Sequence, residues 1–208
     1  EAPIVISAEA QPVFNRLFPG SVDLYLGFDV LRSAEPQNLQ YVSPERTRAL
    51  VSTAQVPTAE MNRRPRQRAF PEVDALLALI EGHTRKEGNV YLDTYGLAEK
   101  LFADILYANM LLMGAAYQAG CLPVVAESIE AAIQLNGKEV ENNIQAFRWG
   151  RLAVADPARV EKVLGFEGLG EGESEAEAWR DNAAVKDLLQ RVVAWSLQPE
   201  LQRKLFLR

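Results

Sequence analysis

The chain has 208 residues, which is the size of about one domain and enough to bury a core without disulfides. A content of 48% hydrophobic and 24% charged residues is typical of globular proteins and excludes a wholly disordered chain. The net charge of −6 argues against a nucleic-acid or membrane-surface partner.

Short apolar runs in the first half of the chain predict β-strands. Three of them cover residues 22–27, 48–53 and 89–93, and glycine or proline residues punctuate them. A further run, Pro3–Ile6, predicts a strand or the end of one. These strands alternate with helices over short connections, so we expect a mostly parallel, Rossmann-like sheet covered by helices.

Helices are predicted between these strands. Residues 28–33 predict a short helix that Pro36 interrupts. A longer helix opens at Pro71, where the missing N–H costs little, and its apolar residues recur at helical spacing until Gly82 ends it.

From Thr94 onwards the apolar spacing is helical throughout. Further helices are predicted over residues 109–118, 125–135, 140–152 and 157–164. The predicted fold class is therefore α/β, with the parallel sheet in the first half and a helical C-terminal half.

Three segments are predicted along the chain. Residues 1–164 form the α/β and helical domain, and residues 165–178 form an acidic linker rich in glycine and glutamate. Residues 179–208 form a C-terminal amphipathic helix and tail.

The single cysteine and the single histidine restrict the chemistry of the chain. Cys121 alone can neither form an internal disulfide nor ligate an iron–sulfur cluster of four cysteines, and we interpret it as a small buried residue. His83 lies in a polar, glycine-flanked stretch and is interpreted as a solvated loop residue. We therefore expect neither a catalytic residue nor a metal site on this chain.

Polar residues follow the predicted strands, where open α/β sheets bind ligands. Asp29 and Asp93 come after the first and third strands and are interpreted first as helix caps, with ligand contact as the alternative. Thr53, Gln55 and Thr58 follow the second strand. They fit turn chemistry around a proline, and alternatively the binding of a phosphate or carboxylate.

A basic segment at residues 62–68 stands out in this acidic chain. Guanidinium groups bind oxyanions through paired hydrogen bonds, so this segment could contact a phosphate or an acidic partner. The alternative is a solvated loop. Its four arginines are Arg63, Arg64, Arg66 and Arg68.

Five phrases in a fixed order carry a resemblance to a known family. They are VDLYLGFDVL, ALVSTAQVPTAEM, VYLDTYGLAEKL, ANMLLMGAAYQAG and IQLNGKEVENNIQAFRWGRLAV. In this order and spacing, from about Val22 to about Asp156, they resemble the gamma-type domain of 2-oxoacid:ferredoxin oxidoreductases. The version fused within indolepyruvate ferredoxin oxidoreductases is the most similar.

The resemblance implies a part of an enzyme that oxidatively decarboxylates a 2-oxoacid, of the indolepyruvate or pyruvate type, on thiamine diphosphate. Electrons leave through iron–sulfur clusters to ferredoxin, and coenzyme A takes the acyl group. In the family these cofactors lie on other domains, so no cofactor is expected on this chain. Thr53, Thr58, Arg63 and Arg64 remain candidates for phosphate or partner contacts.

Two departures from the family pattern affect the interpretation. The family's glycine-rich strand–turn–helix and its Met-Ala-Gln-Arg-Gly-Gly segment are missing, so the chain resembles the second half of such a domain. We expect an oligomeric, multisubunit assembly in the cytoplasm, without nucleic acid or membrane. The alternative function is a binding or assembly domain without enzyme activity.

Overall fold

A computed structural model of the protein describes Ile4, residues 17–63 and residues 69–164. The chain divides into two compact units, Glu1–Tyr91 and Leu92–Arg208. Apart from Ile4, the strand predicted at Pro3–Ile6 lies outside the described residues. The predicted linker at 165–178 and the predicted helix and tail at 179–208 also lie outside them.

Three strands form one sheet in the order β1-β2-β3. They are β1 (Leu24–Gly27), β2 (Arg48–Ser52) and β3 (Val90–Leu92). β1 and β2 run parallel, with Leu24 opposite Arg48 and Gly27 opposite Val51. This confirms the predicted α/β class, with a parallel sheet in the first half of the chain.

In the described part of the first unit there are four helices: α1 (Val30–Ser33), α2 (Pro36–Leu39), α3 (Ala59–Arg63) and α4 (Val73–His83). Apolar side chains of α1, α2 and α4 form a common core with one face of the sheet, whereas α3 has no buried residue. It contains Val30, Leu39, Ala49, Val51, Leu76 and Ile80. The alternation of residues along β2 places Ala49 and Val51 on this face, as expected for a strand with a period of two residues.

Two helix boundaries in this unit differ from the sequence prediction. The sequence predicts that Pro36 interrupts a helix. In the structure Pro36 also begins the next helix, α2, where its fixed φ and missing N–H are tolerated. The chain continues as helix through Gly82 to His83, because a glycine weakens a helix without ending it. Thr84, with extended backbone, follows the helix and donates its hydroxyl to the Ile80 carbonyl at 2.8 Å.

The second unit is helical between Thr94 and Leu164, as predicted. It contains α5 (Thr94–Phe102), a 3₁₀ turn (Ile105–Tyr107), α6 (Ala108–Gln118), α7 (Ala126–Asn136), α8 (Val140–Ala155) and α9 (Pro157–Leu164). Gly137 ends α7 in the left-handed conformation, at φ 71°, where glycine has no steric cost. Asp156 opens α9 by accepting the Arg159 N–H at 3.2 Å.

Helices α6 and α8 pack backbone against backbone. A Cβ on Gly114 of α6 would overlap the carbonyl oxygen of Phe147, and one on Gly150 of α8 would overlap the carbonyl oxygen of Leu111. Around this contact lies a core that includes Leu101, Leu111 and Trp149. Small residues at both helices therefore set the distance at which the two helices pack.

Candidate functional site

The first part of the candidate site is the turn after β1. A Cβ on Gly27 would collide with the Ser33 hydroxyl, so only glycine allows α1 to fold back so closely on the strand. The Ser33 hydroxyl donates to the Asp29 carbonyl at 2.7 Å, and the Asp29 carboxylate accepts the Arg32 N–H at 3.1 Å. Asp29 is thus the N-cap of α1, which confirms its interpretation as a cap.

The second part is the loop after β2. Thr53 is half-buried and Gln55 is exposed. The Thr58 hydroxyl accepts the Met61 N–H at 3.3 Å, and the Thr58 carbonyl accepts the Asn62 N–H at 3.0 Å. Thr58 therefore caps α3, a short helix that the sequence does not predict, since its last two residues belong to the basic segment at 62–68.

Arg63 lies in the last turn of α3 and is exposed, so the predicted basic loop begins as helix. Among the described residues, no carboxylate lies within 4.0 Å of its guanidinium. Arg64, Arg66 and Arg68 lie outside the described residues. Of the four arginines, Arg63 alone can be placed beside the loop after β2.

The parallel register brings the two parts to one edge of the sheet. Gly27 and Val51 are opposite each other, so the residues that follow both strands leave the sheet on the same side. Phe28, which is 39% exposed, follows β1 there, and Thr53 follows β2. The loop that leaves this carboxyl edge carries a hydroxyl and an amide, and α3 with Arg63 follows it along the chain. Hydroxyl, amide and guanidinium groups suit the binding of an oxyanion.

Asp93 directly follows β3 and belongs to the second unit. Its carboxylate accepts the Gly96 N–H at 3.0 Å and caps α5. A Cβ on Gly96 would run into this carboxylate, so the glycine makes room for the cap. The interpretation of Asp93 as a helix cap is confirmed.

The histidine and the cysteine occupy other places than the sequence predicted. His83 is exposed, but it stands in the last turn of α4 and not in a loop, and its Nδ1 donates to the Leu79 carbonyl at 2.8 Å. Cys121 is half-buried, not buried, because it follows the end of α6 at the unit's surface. Within the described ranges, no three His, Cys, Asp or Glu side chains come together as a metal site.

A polar depression of about 660 Å³ lies over α1 and α2. Its polar groups pair with one another: Arg32 binds Glu35 at 2.8 Å, and the Asn38 amide donates to the Arg32 carbonyl at 2.8 Å. Because these groups already satisfy one another, the carboxyl edge remains the better candidate site. The depression is lined by Arg32, Glu35, Gln37, Asn38, Gln40 and Tyr41.

Sequence reasoning missed a polar cluster inside the second unit. Arg148 of α8 binds Glu130 of α7 through two hydrogen bonds of 2.7 and 2.8 Å, and these bonds raise the pKa of Arg148. Three residues on, Arg151 is 1% exposed. Its Nε donates to the Gln118 side chain at 3.3 Å.

The guanidinium of Arg151 also lies over two aromatic rings, 4.9 Å from the centroid of Tyr117 and 5.8 Å from that of Phe147. Burial lowers its pKa. Arg151 ends the AFRWGR phrase, and a glycine in the middle of an apolar helix was the available signal of close packing there.

No helix among the described residues combines the length and the apolar content that crossing a bilayer requires. No curated protein and no solved structure matches the chain significantly. A family model, by contrast, matches residues 2–153. It describes pyruvate ferredoxin/flavodoxin oxidoreductase, in agreement with the ordered phrases of the sequence, and the match includes all three strands and most of α8. The chain belongs to the pyruvate ferredoxin/flavodoxin oxidoreductase family.

Proposed function

We propose that the chain is the accessory, gamma-type domain of a 2-oxoacid:ferredoxin oxidoreductase, of the indolepyruvate or the pyruvate type. The assembled cytoplasmic enzyme would oxidatively decarboxylate its 2-oxoacid with thiamine diphosphate, pass electrons to ferredoxin, and release an acyl-coenzyme A. The family match over residues 2–153 is the observation that carries this proposal. The order of the five phrases supports the gamma-type and indolepyruvate assignments.

The cysteine content supports the placement of the iron–sulfur clusters on other parts of this assembly. An iron–sulfur cluster needs about four cysteine ligands, and this sequence contains one cysteine. The clusters would therefore be held by other domains or subunits, and ferredoxin would be reduced there. The family resemblance implies the same location for thiamine diphosphate. The role of this chain is then to complete the assembly and to contribute contacts at its surface.

We further propose that the carboxyl edge contributes an oxyanion contact. Thr53 and Thr58 line the loop after β2, and Arg63 stands exposed at the end of α3, directly before Arg64. The oxyanion is either a phosphate of coenzyme A or a carboxylate of a partner subunit. Both suit the forked donors of an arginine.

The first experiment tests the assignment to the enzyme. The native protein that contains this chain, purified from its own cells, should contain thiamine diphosphate and iron. It should also reduce ferredoxin when a 2-oxoacid and coenzyme A are supplied. A ratio of kcat/KM that favours indolepyruvate over pyruvate would support the indolepyruvate type, and the reverse ratio the pyruvate type. A solitary chain without such activity would overturn the proposal in favour of a non-catalytic assembly domain.

The second experiment tests the oxyanion contact with the double substitution Arg63→Ala and Arg64→Ala. Losing one charge-assisted hydrogen bond to coenzyme A, ~1.5 kcal/mol, should raise its KM about tenfold, and added salt should reduce this effect. A contact with a partner subunit would instead loosen the assembly at unchanged KM. Arg85→Ala, which removes an exposed arginine elsewhere in the same unit, is the matched control. Unchanged KM and unchanged assembly would leave Arg63 and Arg64 as solvated residues.

A further inference from the structure

The 3₁₀ turn between α5 and α6 exposes two adjacent apolar side chains. Ile105 is 49% exposed and Leu106 is 77% exposed. Full burial of one such side chain contributes about 1.5–3 kcal/mol. A partner that covered both side chains would therefore gain a substantial binding free energy. Contiguous exposed apolar residues of this kind mark interaction surfaces.

The turn is hydrogen-bonded to the start of α8. The buried Tyr107 hydroxyl accepts the Asn142 side-chain N–H at 2.9 Å and donates to the Glu139 carboxylate at 3.4 Å. Ala103 and Glu139 both adopt left-handed backbone, at φ 52° and 43°, which is costly for residues other than glycine. We call Ile105 and Leu106 the Leu106 surface.

The charges along this part of the chain are mainly negative. Residues 99–104, before the turn, and residues 138–141, at the α7–α8 connection, carry four carboxylates and two ammonium groups, a net charge of −2. They are Glu99, Asp104, Glu139 and Glu141, with Lys100 and Lys138. A segment that fits this surface should therefore be apolar and basic.

The chain itself contains such a segment. Residues 201–208, LQRKLFLR, include four apolar and three basic residues and no acidic one. Leu164, from which the chain continues toward them, packs into the same core cluster as Tyr107. Thirty-six residues separate Leu164 from Leu201. They can span ~100 Å when extended, far more than the width of this unit, so the tether permits docking.

We propose that residues 201–208 dock on the Leu106 surface of their own chain. Leucine and phenylalanine side chains cover Ile105 and Leu106, while Arg203 and Lys204 face the carboxylates around them. Docking within one chain benefits from the high effective concentration that a tether provides, so a short segment suffices.

Trypsin tests this proposal on the full chain, because it cleaves after Arg203 and Lys204. Cleavage by the protease follows the population of the undocked segment. Leu106→Asp should therefore accelerate cleavage at these two sites by about fivefold or more at low salt. Val125→Asp, a substitution of another half-exposed apolar residue in the same unit, should leave the cleavage rate unchanged. Circular dichroism checks that each variant is folded.

A substitution on the other side of the contact completes the test. Phe206→Asp should also accelerate cleavage after Arg203, and the double variant with Leu106→Asp should be cleaved no faster than the faster single variant. Equal rates in the wild-type chain and in Leu106→Asp would overturn the proposal. Protection that increases with protein concentration would overturn it as well, because a second copy would then be the occupant.

Discussion

Gly114 of α6 and Phe147 of α8 touch through their backbones: the place that a Cβ on Gly114 would take is occupied by the Phe147 carbonyl oxygen. The reciprocal contact, Gly150 against Leu111, lies in the same helix pair. Any side chain at these two positions must push the helices apart. The close packing of α6 against α8 therefore requires glycine, whose side chain is a single hydrogen atom, at both positions.

Gly114→Ala should consequently destabilise the protein although alanine favours helix. Overpacking costs about 1–3 kcal/mol, which exceeds the ~1 kcal/mol gained in helix propensity at most sites. Because the overlap is with backbone atoms, we expect the upper end of this cost, about 3 kcal/mol. Subtracting the gain in helix propensity leaves a net loss of about 2 kcal/mol in the free energy of unfolding, measured with urea. Gly82→Ala is the matched control, since nothing lies within 4 Å of its added Cβ in α4, and it should stabilise instead. Equal effects of both substitutions would contradict the backbone contact.

The two strand-end aspartates provide a second prediction. Asp93→Ala and Asp29→Ala each remove a side-chain acceptor from a helix N-terminus and should cost about 1 kcal/mol of unfolding free energy. Asp93→Asn and Asp29→Asn should restore nearly all of it, because asparagine caps equally well. The same asparagine variants should keep the activity of the assembled enzyme. A large loss of kcat in Asp93→Asn at unchanged stability would show a chemical role instead.

Much of this architecture could be predicted from the sequence because its signals are local. β2 is an apolar run between turn residues, and Asp29 and Asp93 precede helices as caps. The sequence predicts that α4 ends at Gly82 and that His83 lies in a loop. The helix continues to His83, because glycine alone does not stop a helix. The burial of Arg151 could not be predicted, since it depends on Tyr117 and Gln118, which another helix supplies.

The Arg148–Glu130 ion pair provides a third prediction. Both side chains are largely buried, at 25% and 19% exposure, and the pair is bidentate. Glu130→Gln should therefore cost about 1–2 kcal/mol, because the amide NH2 cannot accept from the guanidinium. One of the two bonds is lost, the other loses its charge assistance, and a cation stays in a partly dry site. Glu35→Gln breaks the exposed pair with Arg32, 66% exposed, and should cost less than about 0.5 kcal/mol. Equal losses of unfolding free energy in the two variants would contradict a larger contribution of the Arg148–Glu130 pair.

Arg151 provides the last prediction, which concerns pH. Burial lowers the pKa of a cation at this position. A lysine there starts from an ordinary pKa of about 10.4, so in the folded Arg151→Lys variant its pKa must lie below that value. Between these two pKa values the unfolded chain binds more protons than the folded chain, and stability therefore rises with pH. The wild-type guanidinium stays protonated throughout this range and contributes no such slope.

The deficit in unfolding free energy of Arg151→Lys relative to the wild type should thus be largest near neutral pH. It should shrink as the pH approaches ~10.4, where the unfolded lysine also loses its proton. Urea unfolding of both proteins at a series of pH values measures this difference directly. Arg32→Lys, at a side chain that is 66% exposed, should show no change of the difference with pH. A deficit in Arg151→Lys that stays constant or grows toward alkaline pH would mean that the ammonium reaches water, and that Tyr117 and Phe147 do not enclose the cation.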